Sequence, residues 1–117
     1  MSAFYSLKIN LKEDGISEKI TDIVGEKPNV ENSSWELERV IKDGDIYIDY
    51  IEYFLDLLEG NYDKLSLLSI QRNDISIWLL YEYDEQCNME FSPQNLKRMG
   101  ENEIGLCVSC WQKDKFS

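Results

Sequence analysis

The nine residues "ISIWLLYEY", 75–83, constrain the fold of this chain more than any other stretch. Ile75, Ile77, Leu79, Tyr81 and Tyr83 alternate with Ser76, Trp78, Leu80 and Glu82, the two-residue period of a β-strand. Both alternating sets are largely apolar, which predicts a central strand.

The remaining periodic segments supply its neighbours. In "FYSLKINL" the residues Tyr5, Leu7, Ile9 and Leu11 alternate with Phe4, Ser6, Lys8 and Asn10, so a strand opens the fold. "ISEKITDIVG" predicts a short helix with Ser17 as its cap, Ile16, Ile20, Ile23 and Val24 on one face, and Gly25 as a left-handed stop. "EKPNVENSS" reads as a loop, and "SWELERVI" alternates as a second strand. Ile48, Ile51, Leu55 and Leu58, widened by Tyr47 and Phe54, form the strongest helical stripe, interrupted at Gly60 and Asn61. Leu65 and Leu68 continue a second helical piece to about Ile70, and "QRND" is a turn. "DEQCN" predicts a hairpin loop into a short strand at "MEF". In "SPQNLKRMG", Ser92 is a cap, Pro93 takes the first helical position and Gly100 lies past the end. "IGLCVSCWQ" is a final strand. The expected fold is a single α+β domain over 1–117, a two-layer sandwich in which a mostly antiparallel sheet of about five strands packs against helices.

The chain has 117 residues, 43% of them hydrophobic, enough for one buried core and no more. Twelve basic residues stand against 23 acidic ones, with no histidine, for a formal net charge of −11. Phosphates repel such a protein on average, so neither nucleic acid nor an anionic membrane is an expected partner. The start, "MSAFYSLKIN", has no basic and apolar leader, and no apolar run is long enough for a span. A cytoplasmic location is expected, with Cys87, Cys107 and Cys110 as reduced thiols.

Catalytic templates are missing. Without histidine the Ser-His-Asp arrangement and the commonest zinc sites are out of reach. The six glycines form no phosphate loop. "DGDIYIDYIE" fails as a calcium loop because Ile48 stands where the tight turn needs glycine. "CVSC" sits in a strand pattern that puts Cys107 and Cys110 on opposite faces, away from the helix N-terminus a reactive pair requires. Chance carboxylate pairs are unavoidable among 23 acids, and none is singled out as an acid–base pair. No enzyme activity, metal or cofactor is expected.

Residues 43–63 hold seven acids and no lysine or arginine, although Lys42 and Lys64 flank them. At roughly 100° per residue, Asp45, Asp49, Glu52, Asp56 and Glu59 fall in a sector about 80° wide, opposite Ile51, Phe54 and Leu58 and flanked by Tyr53. Like charges at these spacings cost about 0.2–0.5 kcal/mol per pair. The macrodipole favours Asp45 and Asp49 at the helix start but disfavours Asp56 and Glu59 near its end. A solvated face is one reading, and a docking surface for a cationic partner is the other. Glu82, Asp84, Glu85 and Glu90 extend the same field.

The opening strand and helix ending "ITDIVGEKPN", then "SWELE", then "IEYFLDLLEGNYDKLSLL", and finally "FSPQNLKRMG" before the last strand, occur in an order that resembles a small, mainly bacterial family, the domain of unknown function numbered four-two-seven-nine. The resemblance covers most of the chain, which lacks the Lys-Gly pair of that family between Pro28 and Trp35. It implies an α+β domain and carries over no catalytic residue. In general character the chain is also similar to immunity proteins, which bind a toxin domain, often a basic nuclease. The expected function is therefore a protein-binding inhibitor that occludes a basic toxin domain through Asp45, Asp49, Glu52, Tyr53, Asp56 and Glu59. The alternative is a domain with another binding or regulatory role, acting as a homo-oligomer through its aromatics.

Overall fold

The structure is a computed structural model and describes residues 2–31, 33–41 and 48–113. In chain order its elements are β1 (Ser2–Asn10), α1 (Ser17–Val24), β2 (Val30–Glu31), β3 (Ser34–Ile41), α2 (Tyr50–Leu58), α3 (Tyr62–Ser66), a 3₁₀ turn (Arg72–Asp74), β4 (Ile75–Tyr83), α4 (Pro93–Asn102) and β5 (Gly105–Gln112). The strands form one sheet in the order β2-β3-β1-β4-β5. β1 is antiparallel to β3 and β4, β2 is antiparallel to β3, and β4 and β5 are parallel. This is the expected α+β domain with a mostly antiparallel five-stranded sheet.

Alternation along the strands divides the side chains between two faces. Leu7 and Ile9 of β1, Trp35 and Leu37 of β3, and Ile75 and Ile77 of β4 meet Ile20 and Val24 of α1, Ile51, Phe54, Leu55 and Leu58 of α2, Leu65 of α3 and Met99 of α4 in one core. Trp35 is fully buried, and its Nε1–H donates to Thr21 Oγ1 at 3.1 Å, which ties β3 to α1. The four buried side chains of α2 contribute roughly 6–12 kcal/mol of gross stabilisation at about 1.5–3 kcal/mol each. That far exceeds the repulsion along its acidic face, so the apolar stripe decides where α2 lies. No helix among the described residues is long and apolar enough to cross a membrane.

Several local expectations are corrected. Ile16, not Ser17, is the cap residue of α1, and no side chain caps the helix. Ile16 is 5% exposed, and its burial in the core puts Ser17 inside the first turn. Val30 and Glu31 leave the expected loop to add a short edge strand, where the Asn29 N–H donates to the Glu36 carbonyl. Ile48 lies outside α2 and is 53% exposed, so it takes no part in the buried stripe. Tyr47 lies outside the described residues. Residues 84–92 form no strand, and Phe91 packs against the core instead. Both edges of β4 are taken by β1 and β5, so a hairpin has no edge to pair with, and the parallel β5 requires a crossover through α4. Gly100 lies inside α4, which stops at Glu103 in the left-handed region, φ 59°. Gly25 does adopt the left-handed stop, φ 83°.

Candidate binding surface on helix α2

Asp49 starts the surface as the helix cap. Its Oδ1 accepts the Glu52 backbone N–H at 3.0 Å and its Oδ2 accepts Asn95 Nδ2 at 2.8 Å. Glu52, Asp56 and Glu59 follow along the same exposed side of α2. Asp45 lies outside the described residues.

The strip is not left without a counter-charge. Arg98 reaches across from α4 and donates from Nε and Nη2 to the two Glu59 carboxylate oxygens, both at 2.9 Å, and from Nη2 to Asp56 Oδ1 at 2.6 Å. This two-pronged geometry is the strong form of a charge-assisted hydrogen bond. Arg98 and then the Asn102 amide hold the Glu59 carboxyl at about 2, well below the usual carboxylate range. The same carboxylates push Arg98 above its ordinary value. Four carboxylates on and beside α2 thus face one bonded guanidinium. Asp56 keeps 62% of its side chain exposed and Glu59 45%, while the Glu52 side chain has no ion pair or hydrogen bond among the described residues.

Asn102 is the hub beneath this surface. It is 6% exposed, donates from Nδ2 to Glu59 Oε1 and the Arg98 carbonyl, both at 2.8 Å, and accepts the Tyr62 hydroxyl on Oδ1 at 2.7 Å. Its carbonyl accepts from Arg72, whose guanidinium stacks 3.3 Å from the Tyr62 ring centroid. Burial pushes the Tyr62 hydroxyl up to about 12, against the pull of Arg72. α2, α3, α4 and the 3₁₀ turn are joined at this one amide. Sequence reasoning missed it, although Asn95, Arg98 and Asn102 recur at helical spacing on one side of α4.

Tyr53, on α2 beside the strip, has partners of its own. Its hydroxyl donates to Glu26 Oε1 at 2.9 Å and accepts from Arg39 Nη2 at 3.4 Å, while the Arg39 guanidinium lies 5.7 Å from its ring centroid. Burial first, and then Glu26, raise the Tyr53 hydroxyl above its ordinary value. Tyr50 packs between Tyr5, at 6.0 Å, and Tyr53, at 6.4 Å. Both tyrosines are half-buried supports of the fold beside the acidic strip.

In the second acidic group, Glu82 accepts the Trp111 indole N–H at 3.2 Å. Cys107 pairs with Trp78 and Cys110 with Tyr81, so the two thiols face opposite sides of the sheet as the alternation requires. Cys87, from residues 84–92, meets Cys110, and burial with that contact raises its thiol above the ordinary value. Comparison with protein-family models, with curated proteins and with solved structures finds no match.

Proposed function

We propose that the chain is a cytoplasmic protein-binding inhibitor of the immunity type, which neutralises a basic toxin domain, such as a nuclease, by covering it. The observation that carries this reading is the ridge of Asp49, Glu52, Asp56 and Glu59 along helix α2, matched among the described residues by the one bonded guanidinium of Arg98. With a net charge of −11 behind it, such a ridge steers a cationic surface toward itself and complements sites built to hold phosphate. Inhibition of this kind needs no catalytic residue. Membership of the family numbered four-two-seven-nine is part of the same proposal. A second reading, a binding or regulatory domain that associates through its sheet, is favoured by Trp111 and Val40, 41% and 58% exposed.

Glu52 is the clean probe, because changing it leaves the Arg98 carboxylate contacts in place. Tagged wild-type, Glu52→Gln and Glu52→Lys proteins are captured from native cells at low and high salt, and co-purifying proteins are identified by mass. A stoichiometric basic protein should be retained by the wild type at low salt, weakened by salt, and lost in the order Gln then Lys. Retention unchanged by Glu52→Lys would overturn the placement on α2, and the absence of any basic partner would overturn the inhibitor reading.

A further inference from the structure

The helices cover one face of the sheet, and the residues of the other face take no part in the core. Three cross-strand rows form the middle of that open face: Val40-Phe4-Leu80, Glu38-Ser6-Trp78 and Glu36-Lys8-Ser76. Ser6 is the small residue at the centre of larger neighbours. A side chain that short leaves a hole in the surface, and a cavity of about 220 Å³ opens there. Phe4, Trp78 and Leu80 make its apolar wall, and Glu36 and Glu38 make its acidic side.

Ser6 is 3% exposed, and its Oγ has no hydrogen-bond partner among the described residues. A buried hydroxyl without a partner is destabilising, so its retention beside an acidic slot calls for a reason. Trp78 is held in place at the wall, its Nε1–H donating to Ser76 Oγ at 2.9 Å. Lys8 Nζ lies 5.9 Å from the Trp78 ring centroid, at the outer edge of a cation–π contact, and forms no ion pair with Glu36 or Glu38. One cation is thus already drawn to the ring, while Glu36 and Glu38 beside it have no ion pair among the described residues.

The geometry points to this slot as the receptor for a single arginine side chain of a basic polypeptide. The volume is below the roughly 300–1,000 Å³ of small-molecule sites, which suits one side chain and excludes most larger ligands. An aliphatic stem matches the wall of Phe4 and Leu80. A planar guanidinium stacks on Trp78 while its N–H groups reach Glu38, and the Ser6 hydroxyl oxygen, closed off in this structure, becomes a further acceptor once Lys8 swings aside. Lysine would supply the charge without the plane. Lys8 acts as the occupant that the incoming guanidinium displaces. The slot lies on the opposite face from α2 and does not rest on the reading of that helix.

The probes are acetyl-Gly-Gly-Arg-Gly-Gly-amide and its lysine and citrulline counterparts, titrated into ¹⁵N-labelled full chain and followed by NMR. Citrulline keeps the shape of arginine and removes the charge. The arginine peptide should move the Ser6 and Phe4 amides and the Trp78 indole N–H, binding more tightly than lysine, with citrulline weakest. Ser6→Ala should leave the melting temperature unchanged or higher and weaken binding about three- to tenfold, the worth of one hydrogen bond. Glu38→Gln should weaken it as well, Lys8→Met should tighten it, and Glu52→Lys should leave it unchanged. Shifts confined to residues 49–59, equal binding of citrulline and arginine, or no shift at the sheet would each overturn the assignment. A Ser6→Ala protein that folds and binds normally would overturn the role of the hydroxyl.

Discussion

Arg98→Met removes the guanidinium that spans α4 and α2 but keeps most of the side chain's apolar stem. Three contacts go with it, the two-pronged bond to Glu59, the 2.6 Å bond to Asp56 and a long 3.5 Å bond from Nη1 to the Glu52 carbonyl. Exposed ion pairs contribute about 0.2–1 kcal/mol each, and the fork geometry places these at the upper end. Repulsion between Asp56 and Glu59, three residues apart on the helix, then adds about 0.2–0.5 kcal/mol. The expected loss is about 1–2 kcal/mol, because water around the half-exposed Glu59 screens the pair. The loss should also depend on pH. Glu59 is lowered from 4.5 to about 2 in the folded chain, so its stabilisation is fully present above 4.5 and disappears as pH falls from there toward 2. Urea unfolding of both proteins at about pH 7, repeated at intervals down to about pH 2 and in about 1 M salt, reads the difference directly. It should be largest in dilute buffer at neutral pH and shrink in acid and in salt. A neutral-pH difference below about 0.3 kcal/mol, or one that persists undiminished at about pH 2, would refute the assignment of Arg98 as the counter-charge of the strip.

Two further changes test other parts of the fold. Lys12 bonds Asp74 at 2.9 Å, and although burial raises that carboxyl, the Gln71 N–H and Lys12 together hold it below its ordinary value. Lys12→Met should therefore cost about 1–2 kcal/mol at neutral pH in urea unfolding, a difference that closes in acid once Asp74 takes up its proton; a constant difference would refute it. Gly60 sits at φ +85° with open space around an added Cβ, so Gly60→Ala should cost about 1 kcal/mol through backbone strain alone. Glu103→Gly, at φ 59°, should go the other way by about 0.5 kcal/mol, and thermal unfolding in which both variants shift in the same direction would contradict this account.

Legibility in the sequence followed how local each signal is. The alternation of "ISIWLLYEY" marked β4 as flanked on both edges, and the register places β1 and β5 there. It did not reveal that only one face is covered, because alternation reports which way side chains point and not whether a second layer exists; Trp78 and Leu80 stay half-buried on the open face. Ser92 was readable as a cap because capping is settled within four residues, and its Oγ accepts the Asn95 N–H at 3.1 Å. Gly100 was misread because glycine's cost inside a helix, about 1 kcal/mol, is outweighed by the contacts Asn102 makes two residues on. The acidic strip followed from helical spacing alone, but its counter-charge lies some 40 residues further along the chain, where no periodicity could show it. The side-chain partners of Tyr53 are hidden from the sequence for the same reason, since Glu26 and Arg39 come from just past α1 and from β3.

The carboxylates of α2 are separable from its folding, and this gives charge changes on the surface their meaning. Ile51, Phe54, Leu55 and Leu58 are all within 3% of full burial, and their gross contribution of roughly 6–12 kcal/mol sets the position of the helix. The charges along the outer side act on a scale of about 1 kcal/mol, and Arg98 offsets only part of the repulsion. Among the described residues, which hold 20 of the 23 acids, the ion-paired carboxylates are Glu26, Asp56, Glu59, Asp74 and Glu101. Most of the acids among the described residues are therefore outside ion pairs. Among the described residues Glu52 has no side-chain partner to lose, so Glu52→Lys changes the local field by two charges while the core beneath it stays as it was. A loss of binding in that variant, with unfolding unchanged, is then a property of the surface and cannot be attributed to a damaged helix.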